Sequence, residues 1–157
     1  MATLKKGVKV ITTDAEQDYN KMSWLYHALY GEMSAEQLVQ LDYVKNHNEL
    51  LRSYNNHDLS ILDSACGNGV QATALALNGY HVTATDISNE MVKLTREFAK
   101  KHDVEISTAV KAWCELPETF KEQFNIVFCT GNSIVHSANA DDMKVQLDSH
   151  HLSILIY

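Results

Sequence analysis

The sequence predicts an α/β fold with a doubly wound, mostly parallel sheet, and three observations carry that expectation. Residues 61–69 read Ile-Leu-Asp-Ser-Ala-Cys-Gly-Asn-Gly, a short apolar strand running into a glycine-bearing turn. A second run, His81-Val-Thr-Ala-Thr, ends on Asp86. Strand-like and helix-like segments alternate from there on, the pattern of parallel βαβ units. Sheets of this kind bind ligands beyond the carboxyl ends of their strands.

The elements follow in order. Asp14 to Leu29 has apolar residues at helical spacing, with Met22, Leu25, Tyr26 and Leu29 on one face and Gly31 as a stop. Ser34-Ala-Glu-Gln37 matches a capping box and opens a second helix to about Tyr54, with Leu38, Leu41, Val44 and Leu51 along its stripe. Asn55-Asn-His-Asp58 is a turn cluster. Strand 1 is expected at 60–64, a helix at 68–78 and strand 2 at 81–85. Ser88 caps a helix to about His102, with Met91, Leu94, Thr95 and Phe98 facing inward. Glu105 to Val110 reads as strand 3. Phe124-Asn-Ile-Val-Phe-Cys129 reads as strand 4, nearly continuous in apolar residues as a central parallel strand should be. Asp141 to about Ser149 suits a short helix, and Leu152 to Tyr157 a last strand of unclear register.

A chain of 157 residues with 45% hydrophobic content suffices for one domain, 1–157, with a real core. The N-terminal helical segment at about 13–55 would stand apart from a core at about 59–157. The net charge of −7 argues against nucleic acid or an acidic membrane as partner, because phosphate binding needs clustered Lys and Arg. The same charge does not repel a small zwitterion. Cys66, Cys114 and Cys129 are scattered and odd in number, so neither a disulfide framework nor a zinc site is expected. With no signal peptide or membrane span in view, a cytoplasmic protein with reduced, buried packing thiols is the simplest expectation.

The glycine turn carries the chemistry. Gly67 and Gly69 lack a Cβ, which lets a backbone approach a ligand closely. Asp86, at the tip of the second strand, has the oxygens to accept hydrogen bonds from a ribose diol. Together they describe a pocket for an adenosine-type cofactor. A dinucleotide fingerprint wants G-x-G-x-x-G; here Ala72 stands at the third position, an allowed variant, so a nicotinamide cofactor stays open. No Lys-Ser/Thr follows the turn, which excludes a P-loop.

The D-x-A-C-G-x-G form of residues 63–69 resembles motif I of class I S-adenosylmethionine-dependent methyltransferases. Two further stretches narrow the likeness. Ala112-Trp113 follows strand 3, and Thr130-Gly131-Asn132-Ser133 with His136 ends strand 4. This G-N-S-x-x-H stretch resembles glycine and sarcosine N-methyltransferases, and the matched motifs span roughly residues 60–137. The resemblance implies S-adenosylmethionine as cofactor and S-adenosylhomocysteine as product. It implies that the backbone near Ala65, Gly67, Asn68 and Gly69 holds the methionine part, and that Asp86 takes the ribose hydroxyls. Ile87 would lie against the adenine, Ala112 and Trp113 would frame the base edge, and the Thr130 carbonyl would receive the ammonium. Asn132 would hydrogen-bond a small amino-acid acceptor such as glycine or sarcosine. His136 would sit near the transfer centre, and Tyr26 would close the site from the N-terminal helices. No metal is implied.

Plainer roles stay open beside these. Trp113 suits a core cap, His136 an interior histidine, and Tyr19, Tyr26 and Tyr30 a packing face. The sequence also departs from the family pattern. No Lys or Arg lies between Lys21 and Lys45, where the family's lid supplies a cation to the cofactor carboxylate, and none follows Lys144. The family's sheet has seven strands, in the order 3-2-1-4-5-7-6, whereas four or five are readable here. A chain truncated at its C-terminus is therefore expected, either an N-methyltransferase or a cofactor-binding fragment with little activity. An uncovered apolar strand edge would favour homo-oligomers.

Overall fold

In the computed structural model, the described residues are 14–39, 51, 59–120, 124–130 and 153–156, the last four by backbone alone. Helices span Ala15–Tyr30 (α1), Ala35–Val39 (α2), Val70–Leu77 (α3), Asn89–Lys101 (α4) and Leu116–Thr119 (α5). Strands span Ser60–Asp63 (β1), His81–Asp86 (β2), Ser107–Val110 (β3), Ile126–Cys129 (β4) and Ser153–Ile156 (β5). A 3-10 turn at Trp113–Glu115 leads into α5.

The strands form one sheet in the order β3-β2-β1-β4-β5, and each neighbouring pair is parallel. This is the expected doubly wound architecture, with a fifth strand in register against β4: Ile126 opposes Ser153 and Cys129 opposes Ile156. The order reverses at β1, which lies between β2 and β4, so the crevice beyond Asp63 is a topological switch point.

Local chemistry explains the element ends. Asp14 accepts from the Gln17 N–H at 3.3 Å and caps α1. The Ser34 capping box is reciprocal: the Ser34 N–H donates to Gln37 Oε1 at 2.8 Å, and the Gln37 N–H donates to Ser34 Oγ at 3.3 Å. Gly31 ends α1 in a right-handed conformation, not the left-handed one that favours glycine. The Met91 N–H donates to Ser88 Oγ at 3.1 Å, fixing the start of α4. The 3-10 turn and α5, with Pro117 in its first turn, were not expected from periodicity. Of the second expected helix only Ala35–Val39 and Leu51 are described, and the helix expected at 141–149 lies outside the described residues.

Strand alternation splits the core between the two sheet faces. Ile61, Val82, Ala84, Ile126 and Phe128 pack with Ala72 and Leu75 of α3 and with Leu51. Leu62 and Val127, on the opposite face, pack with Leu116 and Phe124. All four β4 residues are buried, as the continuous apolar run implied. Helix α4 buries Met91, Val92, Thr95, Phe98 and Ala99; Leu94 is only half-buried.

Candidate functional site

The site is built where β1, β2 and β4 end. After Asp63 the chain turns through residues 64–69 into α3, and both turn glycines adopt positive φ, 54° at Gly67 and 82° at Gly69. They do different work. Among the described residues, a Cβ added at Gly67 would meet nothing within 4 Å, so this glycine borders open space there. A Cβ at Gly69 would lie 2.7 Å from Thr95 Cα, so that glycine lets α3 approach α4. Gly67 thus borders open space, while Gly69 serves helix packing.

Asp86 organises the turn. Its Oδ2 accepts from the Gly67 N–H at 2.9 Å, and its Oδ1 accepts from the Ser88 N–H at 2.9 Å. Burial raises its pKa against these backbone donors. Each carboxylate oxygen keeps acceptor capacity beyond one bond. Ile87, next along, is 39% exposed and offers an apolar surface beside it.

Asp63 is the second acid. It is 1% exposed, and neither carboxylate oxygen has a hydrogen-bond partner among the described residues. Burial pushes its pKa up to about 7, and the nearby Asp86 charge pushes the same way; the Ala65 N–H opposes the shift from a position that makes no full hydrogen bond. Cys66 is buried between these acids, and burial first, then both charges, hold its thiol well above the usual range. Its Sγ lies 3.3 Å from Thr95 Oγ1. It is an inert packing thiol.

Helix α1 closes over this end of the sheet. The Ser88 Oγ–H donates to Asn20 Oδ1 at 2.6 Å, and the Glu90 N–H donates to the same oxygen at 3.4 Å. At the other end the Asn68 Nδ2–H donates to the Tyr26 carbonyl at 3.3 Å. Two anchors thus hold α1 to the start of α4 and to the glycine turn. Between them Tyr19 lies near Asp86, and its ring is 6.3 Å from that of Tyr26. Burial, then Tyr26 and the Asp86 charge, raise the Tyr19 pKa.

The comparisons with known proteins agree with this fold. A family model described as a methyltransferase domain matches residues 61–150, more than half of the chain. The chain belongs to the methyltransferase-domain family. A glycine/sarcosine N-methyltransferase of Aphanothece halophytica is 31% identical over 87 residues, covering 55% of this chain and 33% of that protein. A ubiquinone biosynthesis O-methyltransferase of Rickettsia akari (strain Hartford) is 27% identical over 129 residues, covering 81% of this chain and 49% of that protein. The chain thus spans a third to a half of the curated relatives it matches. Among solved structures, magnesium protoporphyrin IX methyltransferase from Synechocystis PCC 6803 with bound SAH superposes with a TM-score of 0.69 at 16% identity, covering 89% of this chain and 69% of that one. That likeness shows the fold. Membership of the S-adenosylmethionine-dependent methyltransferases is borne out at the level of family and fold.

In this methyltransferase domain, Ala65, Gly67, Asn68, Gly69, Asp86 and Ile87 lie around the ends of β1 and β2. The Asn68 side chain is engaged with α1. The Ala112 N–H donates to Glu115 Oε2 at 2.8 Å. The Trp113 indole N–H donates to the Ser64 carbonyl at 2.8 Å, and the side chain packs against the cluster of Leu62, Leu116, Phe124 and Val127. Thr130 Oγ1–H donates to Gln71 Oε1 at 2.6 Å. Asn132 and His136 lie outside the described residues. Sequence reasoning gave Asp63, Asn20 and Gln71 no role. For Asp63 a signal existed, an acid inside a strand buried on both faces; the other two act through partners far along the chain.

Proposed function

We propose that this domain binds S-adenosylmethionine beyond the ends of β1, β2 and β4 and serves methyl transfer to a small amine, with glycine or sarcosine as the leading acceptors. The observation that carries the reading is the Gly67 cradle: an open space that a Cβ would enter, held in shape by the Asp86 carboxylate. The residues present fit such a cofactor. Asp63 has two unpaired oxygens for a cation, Asp86 has lone pairs for ribose hydroxyls, and Ile87 has apolar surface for a base.

When bound, the cofactor supplies a methyl group on a positively charged sulfur, which is already an excellent leaving group. The protein's task is then positioning and exclusion of water. Asp86 fixes the ribose, Ile87 and Ala112 border the adenine with the Trp113 backbone at its edge, and the Thr130 carbonyl and Asp63 receive the ammonium. Helix α1, within the N-terminal segment at about 13–55, covers the site and brings Tyr26 to it. Asn132 orients the acceptor amine and His136 stands by the transfer centre. An acceptor amine would have to be neutral to take the methyl as the carbon–sulfur bond breaks, and its proton would leave to water or a nearby acceptor.

O-methyl transfer is the second reading, favoured by the longer match to the O-methyltransferase relatives, 81% of this chain against 55%. Labelled-methyl assays on a panel of amines and a panel of hydroxyl compounds separate the two, and S-adenosylhomocysteine titration with no turnover on either panel would leave a binding domain. For the cofactor itself, Asp86→Ala is expected to weaken S-adenosylhomocysteine binding at least tenfold, since hydrogen bonds to a charged group contribute about 1.5–3 kcal/mol each. Calorimetry on a variant shown to be folded by circular dichroism checks this, and unchanged affinity removes Asp86 from the site.

A further inference from the structure

Gln71, in the first turn of α3, is 92% buried, being 8% exposed. Its Oε1 accepts from the Thr130 hydroxyl at 2.6 Å, which orients the amide and leaves Nε2 without a hydrogen-bond partner among the described residues. A buried donor left unmade costs free energy, so a group that meets it gains an advantage water does not share. A second feature lies beside it. The N-cap of α3 is Gly69, which provides no side-chain acceptor for the first-turn N–H groups. An uncapped helix start with a buried amide donor on its first turn favours an anion.

The unmatched donor has an unmatched counterpart. Asp63 opposes Phe128 in the β1–β4 register, and Thr130 stands two residues beyond Phe128. The unmatched acceptors of Asp63 thus end β1, and the unmatched donor of Gln71, on α3, is tied through Thr130 to the end of the adjacent strand β4. An α-amino-acid group carries an ammonium for the first and a carboxylate for the second. Residues 22–44 hold no Lys or Arg to compete for that carboxylate.

We propose that Gln71, held by Thr130, is the carboxylate-selecting residue of this site, its amide N–H2 acting with the start of α3 on the carboxylate of the cofactor's amino-acid end. This rests on the cofactor assignment above, and the test separates the two. The full chain is titrated by calorimetry with S-adenosylhomocysteine and with its decarboxylated analogue, 5′-(3-aminopropylthio)adenosine. The native chain is expected to prefer S-adenosylhomocysteine. Gln71→Met, of similar shape and without donors, is expected to lose about ten- to a hundredfold in affinity for S-adenosylhomocysteine and to bind the analogue as the native chain does. Gln71→Glu is expected to weaken S-adenosylhomocysteine and strengthen the analogue, a sign reversal that decides the matter if the Met variant does not fold. Equal changes for both ligands, or none, overturn the role of Gln71 while the cofactor assignment stands. If the native chain binds neither nucleoside, the cofactor assignment fails and this inference with it.

Discussion

Asp63→Asn is expected to stabilise the ligand-free chain strongly at pH 8 and only modestly at pH 5. The cause is the carboxylate that burial holds at a pKa of about 7, against 3.8 in an unfolded chain. Between those values the folded state binds a proton that the unfolded state has released, so stability falls as pH rises. At pH 5 the folded group is mostly neutral and its cost is on the order of 1–2 kcal/mol. Above pH 7 the group is charged in both states and the cost levels off on the order of 4 kcal/mol. Asparagine has the shape of the neutral acid and no charge to desolvate, so the variant's stability changes far less with pH. Denaturant midpoints of both proteins at pH 5, 6, 7 and 8 check this; parallel curves would mean that Asp63 is not held neutral. A bound cation should oppose the cost, so ligand stabilisation of the native chain should grow from pH 5 to pH 8 and that growth should be absent in Asp63→Asn.

The parts legible in the sequence are those set by residues close together along the chain. Ser34 and Gln37, Ser88 and Met91, and the run from Ile61 to Gly69 each declare a cap or a turn within ten residues. The parallel sheet follows from their alternation, since strands running one way need crossover helices. The site's finer wiring was not legible, because it joins residues far apart: Asn20 with Ser88, Trp113 with Ser64, Thr130 with Gln71. Asp63 shows a subtler limit. A strand buried on both faces loses its period of two, so Ile61-Leu-Asp63 shows that the acid is buried but not which face takes it. The two glycines, three positions long as a motif and identical in kind, could not be told apart in role until Thr95 was placed beside one of them.

That difference yields opposite phenotypes for one chemical change. Gly69→Ala is expected to destabilise the fold by roughly 2–5 kcal/mol, from left-handed strain of about 1–2 kcal/mol and overpacking of about 1–3 kcal/mol. The new methyl would lie 2.7 Å from the Thr95 Cα as well as 2.7 Å from its Cγ2, and a backbone atom cannot swing away. Truncating the neighbour, as in Thr95→Ala, should therefore relieve only part of the loss. It would also remove the hydroxyl that donates to the Gly67 carbonyl at 3.0 Å. Gly67→Ala meets no atom of the described residues within 4 Å, so its cost to folding there is the left-handed strain alone, about 1–2 kcal/mol. Its methyl instead enters the open side of the cradle, and S-adenosylhomocysteine affinity should fall by far more than stability does. Thermal melts paired with calorimetry on both variants read the two quantities independently. A Gly69→Ala protein as stable as the native chain would show that α3 and α4 are free to part. A folded Gly67→Ala protein with native affinity would place the ligand elsewhere than against that turn.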